Sequence, residues 1–315
     1  LSELVNRARQ DNPSLLRTLA QLDQVIAGKR VTRAGLYPTL NFGSTIRRSE
    51  GGVGFNAGST SYDIGLSSSW EVDVINRIRD QIDADAEGVE AAAADVAALE
   101  LSVTSRLATG WFAAIEASLL VDLSAEDIRT QERSLRLTQR RFESGLTGSS
   151  DVRLARSAIA SSQALEQSRL QLRDSTLRAV QVLAREYPDA NIALPDDLPP
   201  LPPLTGIGTP AEMLARRPDV IAVENREAAL RISRDEAVMA EERLELRYTE
   251  GLVSILQLLD AQTRRLNAEG QLITARAERL ANRVRLHVAL GGSGYTAPDG
   301  LQDVPPVEFL GIDLP

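Results

Sequence analysis

A six-residue signature, Arg-(Phe/Tyr)-x-x-Gly-Leu, occurs twice in this chain, at positions 141–146 and again at 247–252. Each copy leads into a long segment with apolar residues at helical spacing. Each therefore reads as the turn of a helical hairpin, and the pair as an internal duplication of the kind that builds scaffolds or conduits. A second element also recurs: Asn12, Pro13, Ser14 and Leu15 resemble Arg217, Pro218, Asp219 and Val220, each a helix start with proline at its first position. The two spacings disagree. Arg141 follows Pro13 by 128 residues but Arg247 follows Pro218 by only 29, so the second copy is about 99 residues shorter, with the shortfall placed after about Ser233.

Composition narrows the class. Aromatics make up 4% of the chain while Ala, Leu, Arg, Glu and Gln dominate, which favours long packed helices over a broad core. A net charge of −9, with Lys29 the only lysine, argues against a nucleic-acid binder, which needs clustered surplus cations. Without cysteine there is no disulfide, thiolate metal site or thiol nucleophile. The most apolar stretch, Leu107 to Val121, carries Glu116 and is flanked by Arg106 and Asp122, so no transmembrane helix is expected. The chain opens on Leu1 without a signal-like segment, and a further N-terminal stretch is expected.

Along the chain, Leu4 to about Leu36 reads as helix, broken at Asn12–Pro13 and ended by Gly35 and Pro38. The period then switches to alternation. Leu40, Phe42, Ser44 and Ile46 fall on one face, and Tyr62, Ile64, Leu66, Ser68, Trp70 and Val72 repeat the pattern after a glycine-rich loop: a hairpin with one greasy face. From about Asn76 to Asp122, Ile78, Ile82, Val89, Ala92, Val96, Leu99 and Val103 follow a four-three spacing, with Asp85 the one polar member. That predicts a helix of roughly 70 Å. After the first Gly-Leu turn a seam runs Leu154, Ala158, Ser161, Leu165, Ser168, Leu172 and on to Val182; after the second it runs Leu252, Leu256, Leu259, Thr263, Leu266, Gly270 and on to Val284. Seven-residue repeats predict left-handed supercoiling. Between the halves lies a proline-rich strap, followed by a helix start with Thr209 as cap, Pro210 first and Glu212 completing a capping box.

Catalytic signals are poor, and no enzyme activity, cofactor or metal is expected. His287, the only histidine, has no second ligand type nearby and reads as satisfied or solvent-facing. Gly51, Gly52 and Gly54 lack the Gly-Lys-Ser/Thr of a phosphate loop and read as a turn. Arg129, Arg133, Arg136, Arg140 and Arg141 read as a solvated coiled-coil face, with an anion-guiding surface as the alternative. Asp151 and Asp260 follow the two turns, where complementarity to the helix dipole would account for them.

Three groups of residues carry a resemblance to a known family: Ser69-Trp70-Glu71-Val72-Asp73 leading to Arg77-Ile78-Arg79; Met213 to Val220, with Arg216 to Asp219 the most specific part; and the paired Gly-Leu turns. On these, the chain resembles the TolC-type outer-membrane channels, in the lipoprotein branch serving multidrug efflux pumps. The resemblance implies a mainly α fold with a small β part, in which long antiparallel coiled-coil hairpins line a periplasmic tunnel and a β-hairpin joins a trimeric transmembrane barrel. The segments would be a first periplasmic helix (1–36), the barrel hairpin (37–73), the long helix and helical hairpin of the first repeat (74–187), the strap (188–210), a truncated second repeat (211–290) and a tail (291–315). Leu40, Phe42, Ile46, Ile64 and Leu66 would face lipid. Gly145, Leu146, Thr147, Gly251, Leu252 and Ser254 would form the tip where a periplasmic adaptor protein docks. Asp151 and Asp260 would gate the pore, with Gln257 where relatives often carry a second gating acid. Ile75 and Asn76 replace the usual Phe-Gly. The implied role is passive export driven by an inner-membrane pump in a Gram-negative envelope, with a lipid-bearing cysteine upstream. Two strands per chain give six per trimer, below the roughly eight of the smallest membrane barrels. A pore-less periplasmic scaffold, a truncated fragment without function and a channel for protein secretion are the alternatives.

Overall fold

A proline forces the residue before it out of helical backbone. Asn12 is accordingly extended, with ψ 120°, and the first helical run becomes two helices, α1 (Ser2–Asp11) and α2 (Pro13–Ala34). The computed structural model describes residues 1–49, 59–201 and 218–289. Past Gly35 the chain forms β1 (Thr39–Ser49) and β2 (Ser59–Ser69), one antiparallel hairpin. Phe42 opposes Leu66, Ser44 opposes Ile64 and Ile46 opposes Tyr62, so the apolar residues of both strands share a face. Trp70 and Val72, expected to continue β2, lie beyond its end.

Those residues instead build the joint between strand and helix. The Trp70 indole donates to the Leu36 carbonyl at 3.1 Å, tying the exit of β2 to the entry of β1. Glu71 holds Arg77 through paired bonds of 2.9 Å. Asp73 accepts from the backbone N–H groups of Ile78 and Arg79, both at 3.1 Å, satisfying two otherwise orphaned donors at the start of α3 (Arg77–Glu143). Asn76 has φ +61°, a left-handed conformation that asparagine tolerates better than most residues other than glycine.

At 67 residues, α3 is about 100 Å long and runs well past the expected end near Asp122. The remaining helices are α4 (Ser149–Leu183), α5 (Pro218–Thr249) and α6 (Ile255–Ala289). The chain is mainly α with a small β part. It divides into two compact units, one of residues 13–99 and another of 1–12 with 100–289 among the described residues. In the first, Leu22 on α2 packs with Val89, Ala93 and Val96 on α3. Asp85, the polar member of that stripe, accepts from Thr32 at 2.6 Å and from Gln81 at 3.0 Å, bonds that hold its carboxyl below the ordinary value.

In the second unit the apolar stretch of α3 is core: Leu107, Ala108, Ala114 and Ile115 are fully buried with Val180, Leu258 and Val284. By length and composition alone α3 could cross a membrane, but 56% of its most apolar window is buried inside the protein. Gly110 lets the backbone come close to α4, since a Cβ there would meet Val180 at 3.3 Å. The α4 seam expected from its leucines is not the buried one. Leu154, Leu165 and Leu172 are exposed, whereas Val152, Ala155, Ile159 and Ser162 are buried. The α6 seam is buried from Leu259 through Val284, apart from the exposed Thr263 and the partly covered Ile273. After α4, Arg185 has φ +62° and the Gln181 amide locks the start of the strap, bonding Asp189 at 2.6 Å and the Ala190 N–H at 2.8 Å. Helix α5 passes through Ser233 without a break. The expected capping box at Thr209, the motif residues 213–217, the glycines 51, 52 and 54 and the tail 291–315 lie outside the described residues.

Candidate functional site

The duplicated signature folds twice into the same backbone device. At the first turn the Leu146 N–H donates to the Arg141 carbonyl at 2.8 Å and the Gly145 N–H to that of Phe142 at 2.9 Å. At the second, Leu252 donates to Arg247 at 2.9 Å and Gly251 to Tyr248 at 3.0 Å. This is a Schellman motif, which requires a left-handed residue one step past the helix; Gly145 and Gly251 supply it with φ of +72° and +81°. The motif usually lets the following apolar residue pack back on its helix. Here Leu146 and Leu252 stay 70% and 63% exposed, so the turn does not use them.

Arginine 141 joins the two turns. Its guanidinium lies over the Tyr248 ring, 4.9 Å from the centroid, and donates to the Tyr248 carbonyl oxygen, capping the end of α5 from outside. The Tyr248 hydroxyl bonds Thr138 at 2.8 Å, and its ring packs with Ile255, Leu258 and Leu259. Both turns therefore sit at one end of this unit. Arg141 departs from the solvated face expected of the arginine run, because tyrosine and a helix C-terminus attract a cation.

The helices leaving the turns start differently. Ser254 and Gln257 form a reciprocal capping box: the Ser254 N–H donates to the Gln257 side chain at 3.0 Å, and the Gln257 N–H reaches the serine hydroxyl at 3.4 Å. Gln257 thus has a structural duty that spacing alone did not reveal. Asp151 is the third residue of α4 and accepts from the Thr147 hydroxyl, within the first turn where the dipole acts. Asp260 is the sixth residue of α6, beyond that range, and pairs with Arg264 at 2.7 Å across a largely exposed surface.

Sequence reasoning missed a buried polar seam on α3. Ser124, Asp127, Gln131, Ser134 and Thr138 continue the four-three spacing and are all buried. Asp127 accepts from Ser162 and Gln131, both at 2.8 Å, and Gln262 donates to Ser134 at 2.9 Å. Burial pushes the Asp127 carboxyl above its ordinary value, partly offset by the Ser162 bond and by Arg265 and Arg169. Nearby, Arg265 bridges Glu241 and Glu269, the latter at 2.7 Å. Outside this seam, Arg129, Arg133 and Arg136 line an open groove of about 930 Å³ together with Glu126 and Glu132, as a solvated charged face would. His287 is partly buried, which lowers its imidazole from the ordinary value. Among the described residues no cluster of histidine and acidic side chains could hold a metal.

On the hairpin, Leu40, Phe42, Ile46, Ile64 and Leu66 share one face with Tyr62, and each is at least 68% exposed. Water gives such a surface no partner, and an isolated hairpin is marginal there.

Comparison with known proteins agrees with this architecture. The chain is 26% identical over 235 residues to outer membrane protein OprJ of Pseudomonas aeruginosa, covering 72% of this chain and 49% of the relative. It is 26% identical over 282 residues to the pyoverdine export outer membrane protein OpmQ of Pseudomonas putida, covering 83% and 58%. The chain thus spans about half the length of the curated relatives it matches. Among solved structures, the outer-membrane channel OprN superposes with a TM-score of 0.79 at 20% identity, over 93% of this chain and 90% of that one. The outer membrane protein VceC of Vibrio cholerae gives 0.78 at 17% identity, over 92% and 96%. The outer membrane efflux protein profile matches residues 4–185. The chain belongs to the outer membrane efflux protein family.

Proposed function

We propose that this protein is the outer-membrane component of a tripartite efflux system: a passive, water-filled duct for small molecules, driven by an inner-membrane pump and engaged through a periplasmic adaptor. The carrying observation is the pair of identical turns held at one end by Arg141, each presenting a leucine that folding does not use. In this reading Gly145, Leu146, Thr147, Gly251, Leu252 and Ser254 form the adaptor-docking tip of a homotrimer. Asp151 and Asp260 narrow the pore just inside it, while Gln257 secures the helix start beside them. Leu40, Phe42, Ile46, Ile64 and Leu66 face lipid, as the outward positions of a barrel strand do. The duct has no chemistry of its own, and selectivity rests with the pump.

The test is expression of the chain in a Gram-negative host, followed by fractionation and planar-bilayer recording. Heat-modifiable oligomers in the outer membrane with discrete conductance steps are expected. A soluble monomer without conductance would refute the duct.

One observation favours a second reading, a pore-less periplasmic scaffold. Helix α5 runs unbroken where the first repeat has its hairpin, and the described residues contain two strands. Three copies would give six, and lipid tolerates no open sheet edge. The same fractionation separates the two readings.

A further inference from the structure

The duplication makes one contact inside the chain and leaves its counterpart empty. Thr138, Arg141, Phe142 and Gly145 correspond, at a constant offset of 106, to Leu244, Arg247, Tyr248 and Gly251. Within the chain, Arg141 of the first copy stacks on Tyr248 of the second, caps its carbonyl, and lies flush with Gly251, where an added Cβ would sit 3.2 Å from the guanidinium. The corresponding arginine of the second copy is Arg247. Its side chain is exposed and makes no hydrogen bond or ion pair among the described residues. The surface it would need is also vacant. Phe142 is 45% exposed, and a Cβ on Gly145 would meet nothing within 4 Å.

We infer that Arg247 of one copy of this chain docks on Phe142 and Gly145 of the next, repeating between chains the contact that Arg141 makes within one. The inference rests on the multi-copy channel reading above. Three details support it. The Phe142 carbonyl accepts from Gly145 and, like that of Tyr248, has a second lone pair for a guanidinium. It lies at a helix C-terminus, where a cation is favoured. The neighbouring pair changes in step: Thr138 meets the Tyr248 hydroxyl within the chain, whereas the counterpart pair is Leu244 and Phe142, an aliphatic side chain and a ring with no hydroxyl to satisfy. A contact made by one face on a different face is heterologous, and its repetition gives a ring where the rotation between copies closes, as the channel reading requires. Each Gly145–Leu146 turn is then completed by an arginine from its neighbour.

The 315 residues contain no cysteine, so an introduced thiol is the one reactive thiol among them. Two differently tagged full-length chains, one carrying Ser144→Cys and the other Glu250→Cys, are co-expressed and treated in isolated membranes with a short bismaleimide. Mixed covalent dimers bearing both tags are expected. Adding Arg247→Ala to the Glu250→Cys chain, or Phe142→Ala to the Ser144→Cys chain, should lower their yield about tenfold, the scale of a lost stacked cation. Melting of the dissociated Arg247→Ala chain should be unchanged, because Arg247 is exposed within one copy. Oligomers on native gels without mixed dimers, a predominance of like-with-like dimers, or a yield indifferent to Arg247→Ala would each overturn the contact while leaving the channel reading intact. Absence of any oligomer would overturn both.

Discussion

The two turn glycines should not be equally sensitive, and their difference measures Arg141. Alanine at either position must adopt positive φ, at a cost of about 1 kcal/mol. At Gly145 nothing lies within 4 Å of the new methyl, so that cost stands alone. At Gly251 the methyl meets the Arg141 guanidinium at 3.2 Å and pushes it off the Tyr248 ring and carbonyl. Losing that stacking and a charged hydrogen bond at a partly exposed site adds about 1–2 kcal/mol. Gly145→Ala should therefore cost about 1 kcal/mol and Gly251→Ala about 2–3 kcal/mol. In an Arg141→Ala background the excess should vanish, leaving both near 1 kcal/mol, a coupling readable in a double-mutant cycle. The assay is urea unfolding of the dissociated chain followed by circular dichroism. Equal costs in the wild-type background, or an excess that survives Arg141→Ala, would refute the reasoning.

Other outcomes follow from the same structure. Asp127 is raised by burial, so between its unfolded and folded values the native state binds more protons, and its contribution to stability grows as pH falls from neutral toward the ordinary carboxylate range. Asp127→Asn should flatten that rise in thermal melts; an unchanged slope would show that Asp127 does not titrate there. Arg185→Gly should stabilise the chain by about 1 kcal/mol by relieving φ +62° at an exposed position, measured as a higher urea midpoint. Asp260→Ala should leave stability nearly unchanged, because its pair with Arg264 is exposed, yet raise resting single-channel conductance if the residue narrows the pore. Unchanged conductance would remove Asp260 from the gate.

Much of the fold was legible because its punctuation is local. Gly-Leu turns, an Asn-Pro break and strict alternation each act over a few residues, and they appear where the sequence places them, except that the second strand ends at Ser69, short of Trp70 and Val72. The length of α3 was not legible, because beyond Asp122 its stripe changes from leucine and valine to Ser124, Asp127, Gln131 and Ser134; the period persists while the hydrophobicity that marks it is lost. The α4 seam was misread for a related reason. Leu154 and Leu165 form one stripe and Val152 and Ile159 another, and spacing does not say which faces the same chain. At the turns, the pattern located the residues but not their duties. Gln257 resembles a substituted acid until its bond to Ser254 is seen, and Arg141 is indistinguishable from its neighbours until Tyr248 arrives from 107 residues away.

Closure of each hairpin by main-chain bonds divides labour within a six-residue stretch. Glycine and the peptide groups make the bend, so the leucine beyond it is under no obligation to the chain's own stability. On the docking role proposed above, changes at Leu146 or Leu252 would alter what the protein recognises while leaving how it folds untouched, and partner choice could drift here without passing through an unstable intermediate.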